Sequence, residues 1–280
     1  MRKIFQVIGL FTIICISFFV TDKAVFVLKE QDSVMIKIES VKDEYKVDSV
    51  DAVVDGKYIV PGVKGKEVDV SSSYVSIKKM GYFDSKFLVY KDIVPNISIS
   101  NTYNKYISKG NSSKNSVSLL FVLDSNVNAL LDRFRDASSS VIVNYYVDVD
   151  YLNNNLKLVK ELGKNNDVYN YGYMGNYSES LLTFGNNLIE RNVKNNSRFC
   201  LLKKENDNML RLCSSSSNHT VIPSIIVSNN PYNEIKNNIS SGSIILMDIN
   251  ETVINQMPSV ISFITSKGYK MVGLEELLSE

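Results

Sequence analysis

SGSIILMDINETVINQMPSVISFITSKGYKMVGLEELL, residues 241–278, carries the clearest pattern of alternating strand and helix in the chain. Residues 243–247 form a short unbroken apolar run after a glycine, the pattern of a strand buried on both faces rather than one with a wet side. From Val253 the apolar positions Val253, Ile254, Met257, Val260, Ile261 and Ile264 recur at helical spacing, and Lys267 with Gly268 ends that helix. Residues 269–272 read as the next strand. Strand, helix and strand in so few residues predict a parallel crossover unit of an α/β sheet or barrel. Chemistry in such folds gathers at the carboxyl ends of strands, which singles out Asp248, the first residue past the apolar run.

Upstream the same alternation repeats. SVSLLFVL (116–123) predicts a strand, 126–136 a helix, VIVNYYV (141–147) a strand, and 152–162 a helix capped by Gly163. Residues 167–174 follow as a strand, 178–193 as a helix opened by Ser178, 197–202 as a strand and 206–213 as a short helix. The β-branched stretch 220–227, interrupted by Pro223, and a short helix over 231–239 lead back to the opening unit. The pattern predicts a parallel β/α barrel over residues 116–280 rather than a sandwich. Residues 101–115, polar and carrying Gly110, Ser112 and Ser113, read as a linker. Residues 24–100 read as a small α+β domain in which AVFVL, VMIKI, DAVVDGKYIV and KFLVY are strands. A hairpin turn is expected at Asp55-Gly56, and a helix stopped by Gly81.

At the amino terminus Arg2 and Lys3 precede an uncharged run over residues 4–20, then Asp22 and Lys23. Residues 1–23 are an export signal, read as an uncleaved membrane anchor with the remainder outside, the alternative being a cleaved signal. Outside the cell Cys200 and Cys213 are either a disulfide or two buried thiols, and their spacing leaves both open. The net charge of +1, from 31 basic and 30 acidic residues, gives no electrostatic reason to expect nucleic acid as a partner. With one histidine, His219, a multi-histidine metal centre within one chain is excluded.

The order SVSLLFVLD, VIVNYYVD, ELGKNNDVYNYGYMGNYS and GSIILMD with TVINQMPSVISFITSKGYKMVGLEELL resembles the polysaccharide deacetylase (NodB-homology) family, over about residues 116–280. That resemblance implies a distorted (β/α) barrel, here preceded by the small α+β domain and the membrane anchor. It also implies removal of acetyl groups from amino sugars by a divalent metal held by one Asp and two His, with a second Asp as base and a late His as acid. The metal lowers the pKa of its water and polarises the amide, and the base takes the proton. The matching acidic positions here are Val122 and Leu123, or Asp124 with a shift of one residue. The paired histidines match Tyr171 and Gly175, and the late histidine matches Asp248. The resemblance thus implies the scaffold without its metal site, and no cofactor is expected.

Three aspartates, Asp124, Asp148 and Asp248, each end an expected strand and are candidates for acid and base work or for turn and cap roles. Tyr169, Tyr171 and Tyr173 alternate along the third strand, so they are expected on one face as rings that stack on sugars or pack in the core. His219, at the start of a strand, is expected to be structural. The reading is an exported, catalytically degenerate deacetylase-like protein whose partners are cell-wall polysaccharide or peptidoglycan, and the membrane through its N-terminal segment. Two alternatives stand beside it: a carbohydrate hydrolase using rim carboxylates without the metal, and a membrane-anchored protein-interaction scaffold.

Overall fold

Aspartate, asparagine and serine side chains set the starts of most helices, and alternating apolar residues set the strands between them. The computed structural model describes residues 32–193 and 198–280. These divide into a unit of residues 32–49 and 64–94 and a larger unit of residues 50–63, 95–193 and 198–280. The smaller unit opens with α1 (Ser33–Val41), whose cap Asp32 accepts from Val34 N at 2.9 Å. After the hairpin β1 (Val53–Asp55) and β2 (Tyr58–Val60), which belongs to the larger unit, the chain returns as β3 (Gly65–Val68), α2 (Val70–Met80) and β4 (Tyr90–Ile93). Strands β3 and β4 pair antiparallel, and Ile38, Val68, Ile77 and Leu88 form the core of the small unit.

VMIKI, expected as a strand, is instead the body of α1. The Asp32 cap and burial of Ile38 and Val41 at helical spacing outweigh its β-branched composition. The hairpin forms one residue later than expected: Asp55 pairs with Tyr58, which leaves Gly56-Lys57 as the turn, with Gly56 at φ 54°. The domain boundary also differs, because residues 50–63 and 95–100 belong to the larger unit. The expected anchor, residues 1–23, and the AVFVL segment lie outside the described residues. Among the described residues no helix is long and apolar enough to cross a membrane.

The expected linker instead contributes β5 (Tyr106–Ile107), which pairs in parallel with β2. Next come β6 (Ser116–Leu123), α3 (Leu131–Ser138), β7 (Asn144–Val147), α4 (Val149–Asn154), α5 (Leu156–Leu162), β8 (Asp167–Asn170) and α6 (Glu179–Asn192). The chain ends with β9 (Phe199–Leu201), α7 (Asp207–Ser215), β10 (His219–Val221), β11 (Ile225–Ile226), α8 (Pro231–Asn238), β12 (Ile244–Met247), α9 (Glu251–Ser266), β13 (Lys270–Met271) and α10 (Leu274–Leu278). The stretch 220–227 is two strands, β10 and β11, because Pro223 lacks the N–H a continuous ladder needs.

Two sheets result. One has the order β11-β12-β6-β7-β8, all parallel, with β13 also on β6; the other has the order β1-β2-β5-β10-β9. Alternation assigns the faces. Val117, Leu119, Phe121 and Leu123 of β6, Tyr145 and Val147 of β7, and Ile245 and Met247 of β12 pack under the helices. Leu120, Tyr146, Tyr169, Ile244 and Leu246 face an interior shared with Phe199, Leu201 and Val221 of the other sheet and with Leu274, Leu277 and Leu278 of α10. This is a distorted β/α barrel, and among the described residues no ladder joins β8 to β9.

One edge of β6 serves two partners, since β13 pairs with Ser116 and Val117 and β7 with residues 120–123. The fully buried Asn144 joins them: its Nδ2 donates to Leu119 O at 3.0 Å and Val272 O at 3.4 Å, and its Oδ1 accepts from Leu274 N at 2.6 Å. Substituting Asn144→Leu keeps the volume but leaves a buried N–H without its acceptor. The expected cost is about 3 kcal/mol of unfolding free energy, read from urea denaturation.

Candidate functional site

Strands β6, β7 and β12 deliver Asp124, Asp148 and Asp248 to one mouth of the barrel, because these strands run parallel and each aspartate directly follows its strand. Asp124 accepts from Asn126 N at 2.8 Å and from Asn126 Nδ2 at 3.2 Å. Asp148, 5 % exposed, is more committed. Its Oδ1 caps α4 by accepting from Asp150 N at 3.0 Å and Tyr151 N at 3.4 Å, and its Oδ2 accepts from Met174 N at 2.7 Å. It thereby fastens the loop after β8 to the start of α4. Asp248 is exposed and lies 3.6 Å from Lys203 Nζ.

A cavity of about 280 Å³ opens at this mouth, lined by Asp124, Asp148, Asp150, Asn128, Tyr151 and Tyr173 among others. Asp248 does not line it. The structure therefore brings Asp124 and Asp148 together and leaves Asp248 apart. Asp150 and Tyr151 carried no expectation from the sequence, although the acid-x-acid spacing of Asp148 and Asp150 after a strand was a usable signal.

The three tyrosines part company. Strand β8 ends at Asn170, so Tyr173 lies in the following turn, 49 % exposed, instead of sharing a strand face with the others. Tyr169 is a core residue: it stacks on Tyr146 at 5.1 Å, donates to Asp167 Oδ2 at 3.0 Å and accepts from Glu275 N at 3.2 Å. It is 1 % exposed, so its ring is closed to any sugar. Tyr171, 9 % exposed, lies between them, its ring edge-on to Tyr146 at 6.3 Å. Burial first, then the charges of Asp248, Asp124 and Asp148, hold its hydroxyl protonated well into the basic range.

Tyr171 also explains Gly175. A Cβ built there would stand 2.9 Å from Tyr171 Oη and 3.0 Å from Cζ, and Gly175 adopts φ 79°, where side chains are strained. The metal implied by the resemblance therefore does not fit. Leu123 is fully buried under the helices, Tyr171 occupies the space at Gly175, and Asp248 is exposed. Among the described residues no three His, Cys, Asp or Glu side chains are placed to share a metal ion. The steric coupling is measurable: Gly175→Ala is expected to cost about 2–3 kcal/mol, and in a Tyr171→Ala background about 1 kcal/mol less, as a double-mutant cycle by urea denaturation.

His219 begins β10, at the opposite mouth from the aspartates. Its ring stacks on Tyr103 at 4.2 Å and stands 5.8 Å from Phe199, and its Nδ1 is buried without a hydrogen-bond partner among the described residues. Burial lowers its pKa from 6.5 to about 4. The folded state therefore refuses a proton that the unfolded chain accepts. The stability this contributes is present above pH 6.5 and is lost as the pH falls from 6.5 toward 4. Comparing wild type with His219→Phe between neutral pH and pH 4, this loss is expected to be about 2 kcal/mol, seen as the difference between two denaturation series.

Cys200 and Cys213 form a disulfide, both fully buried, which ties β9 to α7. Of the two sequence readings, the bridge is the one observed.

No protein-family model matches the chain. It is 24 % identical over 267 residues to the uncharacterized protein YlxY of Bacillus subtilis (strain 168), covering 85 % of this chain and 81 % of that protein. Among solved structures it is similar to BA3943, a CE4 family pseudoenzyme from Bacillus anthracis, with a TM-score of 0.65 and 21 % identity, over 89 % of this chain and 96 % of that one. It is also similar to the Bc1960 peptidoglycan N-acetylglucosamine deacetylase, with a TM-score of 0.54 and 15 % identity, over 61 % of this chain and 92 % of that one.

Proposed function

We propose that this chain, which has the fold of the polysaccharide deacetylases in a divergent form, is an exported protein, anchored in the membrane by residues 1–23, that binds cell-wall glycan without hydrolysing it. The observation that carries the reading is the exchange at the barrel mouth. Tyr171 occupies the space that a side chain at Gly175 would need, while beside it a cavity lined by carboxylates, amides and the half-exposed ring of Tyr173 stays open. Such a lining suits a sugar: amides and carboxylates take its hydroxyls, and a flat ring takes its apolar face. The loss of catalysis has a counterpart in BA3943, which is described as a pseudoenzyme.

Asp124 and Asp148 do not favour the metal-free hydrolase. Both are engaged with neighbouring N–H groups, Asp148 by three of them, as caps and loop fasteners. The Cys200–Cys213 disulfide supports export, since such bridges persist in oxidising compartments. Incubated with peptidoglycan and with N-acetylglucosamine oligomers, the purified chain is expected to cosediment with glycan equally with and without a chelator, and to release no acetate. Acetate release that a chelator abolishes would overturn the reading.

A further inference from the structure

Resting on the glycan-binding reading, we infer that the chain carries a second glycan site outside the barrel, in the groove between α8 and α9, and that this site takes an uncharged sugar strand. The groove encloses about 740 Å³, more than the cavity at the mouth. That volume falls within the roughly 300–1,000 Å³ of sites that take small organic ligands. Asn230, Tyr232 and Asn233 line it from the start of α8, and Gln256, Ser262 and Phe263 line it from α9. Among the described residues no Asp, Glu, Lys or Arg lines the groove. A wall of amides, hydroxyls and rings offers partners to sugar hydroxyls and amides, and it leaves the charge of an ionic ligand unpaired.

The groove is fixed in shape while its polar groups stay unspent. Gln256 Oε1 accepts from Tyr232 N at 3.0 Å, which joins the two helices and leaves the Gln256 amide N–H groups free to donate. The Glu234 carboxylate accepts from Ser228 N, Asn229 N and Asn230 N at 2.9, 2.9 and 2.8 Å, and Asn230 Oδ1 caps Asn233 N at 3.2 Å, so the wall on the α8 side is held by its own backbone. Helical serines elsewhere fold their hydroxyls back onto the preceding turn, as Ser138 does onto Phe134 O at 2.9 Å and Ser266 onto Phe263 O at 2.7 Å. Ser259 and Ser262, both lining the groove, make no such bond among the described residues. Pro258 lies between the walls in mid-helix and has no N–H to give Ile254 O four residues back, which leaves a backbone acceptor without its usual donor beside the groove. The half-buried rings of Tyr232 and Phe263 meet at 5.7 Å and 69° and supply the apolar surface on which a sugar face rests. A protein helix would need an apolar seam instead, and the exposed Asn233, Ser259 and Ser262 interrupt one.

The test is calorimetric titration of the full chain with three pentamers, the uncharged N-acetylglucosamine, the basic glucosamine and the acidic galacturonate. The uncharged pentamer is expected to bind about tenfold more tightly than either charged one. Asn233→Arg and Ser262→Arg change exposed positions, so each is expected to keep the wild-type urea midpoint while weakening the uncharged pentamer about tenfold by obstructing the groove. Tyr232→Phe, which removes one hydroxyl and keeps the ring, is expected to cost about fivefold. Tighter binding of a charged pentamer would overturn the inference and leave the glycan-binding reading standing; Lys236 and Lys267, whose ammonium groups lie 5.9 and 5.5 Å from the Tyr232 and Phe263 ring centres, would then be the source of an acidic preference. Unchanged affinity in both Arg variants, with binding lost in Tyr173→Ala, would place all recognition at the mouth and overturn the inference in the same way. Binding of none of the three pentamers would overturn both.

Discussion

The shared edge of β6 is the constraint on which the rest of the larger unit depends. A strand buried on both faces must satisfy every backbone group through neighbouring strands. On one side β12 does this alone, while on the other β13 serves the start of β6 and β7 its end. Two strands that meet partway along one edge leave unpaired groups at their junction, and the Asn144 side chain supplies both the donor and the acceptor that the gap requires. Because β7 then lies in register with β6, with Leu123 opposite Val147, the next residues on each strand, Asp124 and Asp148, emerge side by side. The cavity at the mouth is a consequence of that register.

Inside the barrel, aromatic packing takes the place of a polar centre. Tyr171, Tyr146, Tyr169, Phe199, His219 and Tyr103 form an unbroken succession of ring contacts from the aspartate mouth to the opposite one. Rings of this size fill a barrel by volume, and edge-on or offset pairs add modest specific attraction. The arrangement also bears on chemistry. A tyrosine at position 171 that reaches over residue 175 admits only glycine there, so one residue excludes a side chain at another. The fold therefore does not by itself specify the chemistry of its mouth, which depends on the side chains placed there.

Most of the larger unit was legible in the sequence because its strands are apolar throughout and its helices are amphipathic and capped. Residues 241–278 gave β12, α9 and β13 where the spacing put them, and Asp124, Asp148 and Asp248 do follow strands. What misled was local composition. VMIKI has the residues of a strand, but Asp32 caps it as a helix, and Tyr173 continues an alternation that the backbone abandons at Asn170, where glycine and left-handed residues turn the chain. The strand β5 was unreadable for another reason: two residues in a polar segment acquire sheet structure only when β2 and β10 hold them on both sides.

Sequence alone determined the class of fold, since periodicity of apolar residues is a property of neighbours along the chain. It also carried the resemblance to the polysaccharide deacetylases, because that comparison needs only residue identities. Tertiary structure decided how those residues meet. It separated Asp248 from Asp124 and Asp148, closed Tyr169 into the core while exposing Tyr173, paired Cys200 with Cys213, and placed Tyr171 against Gly175. Each of these outcomes depends on the register and curvature of strands distant in sequence, and no local spacing carries that information.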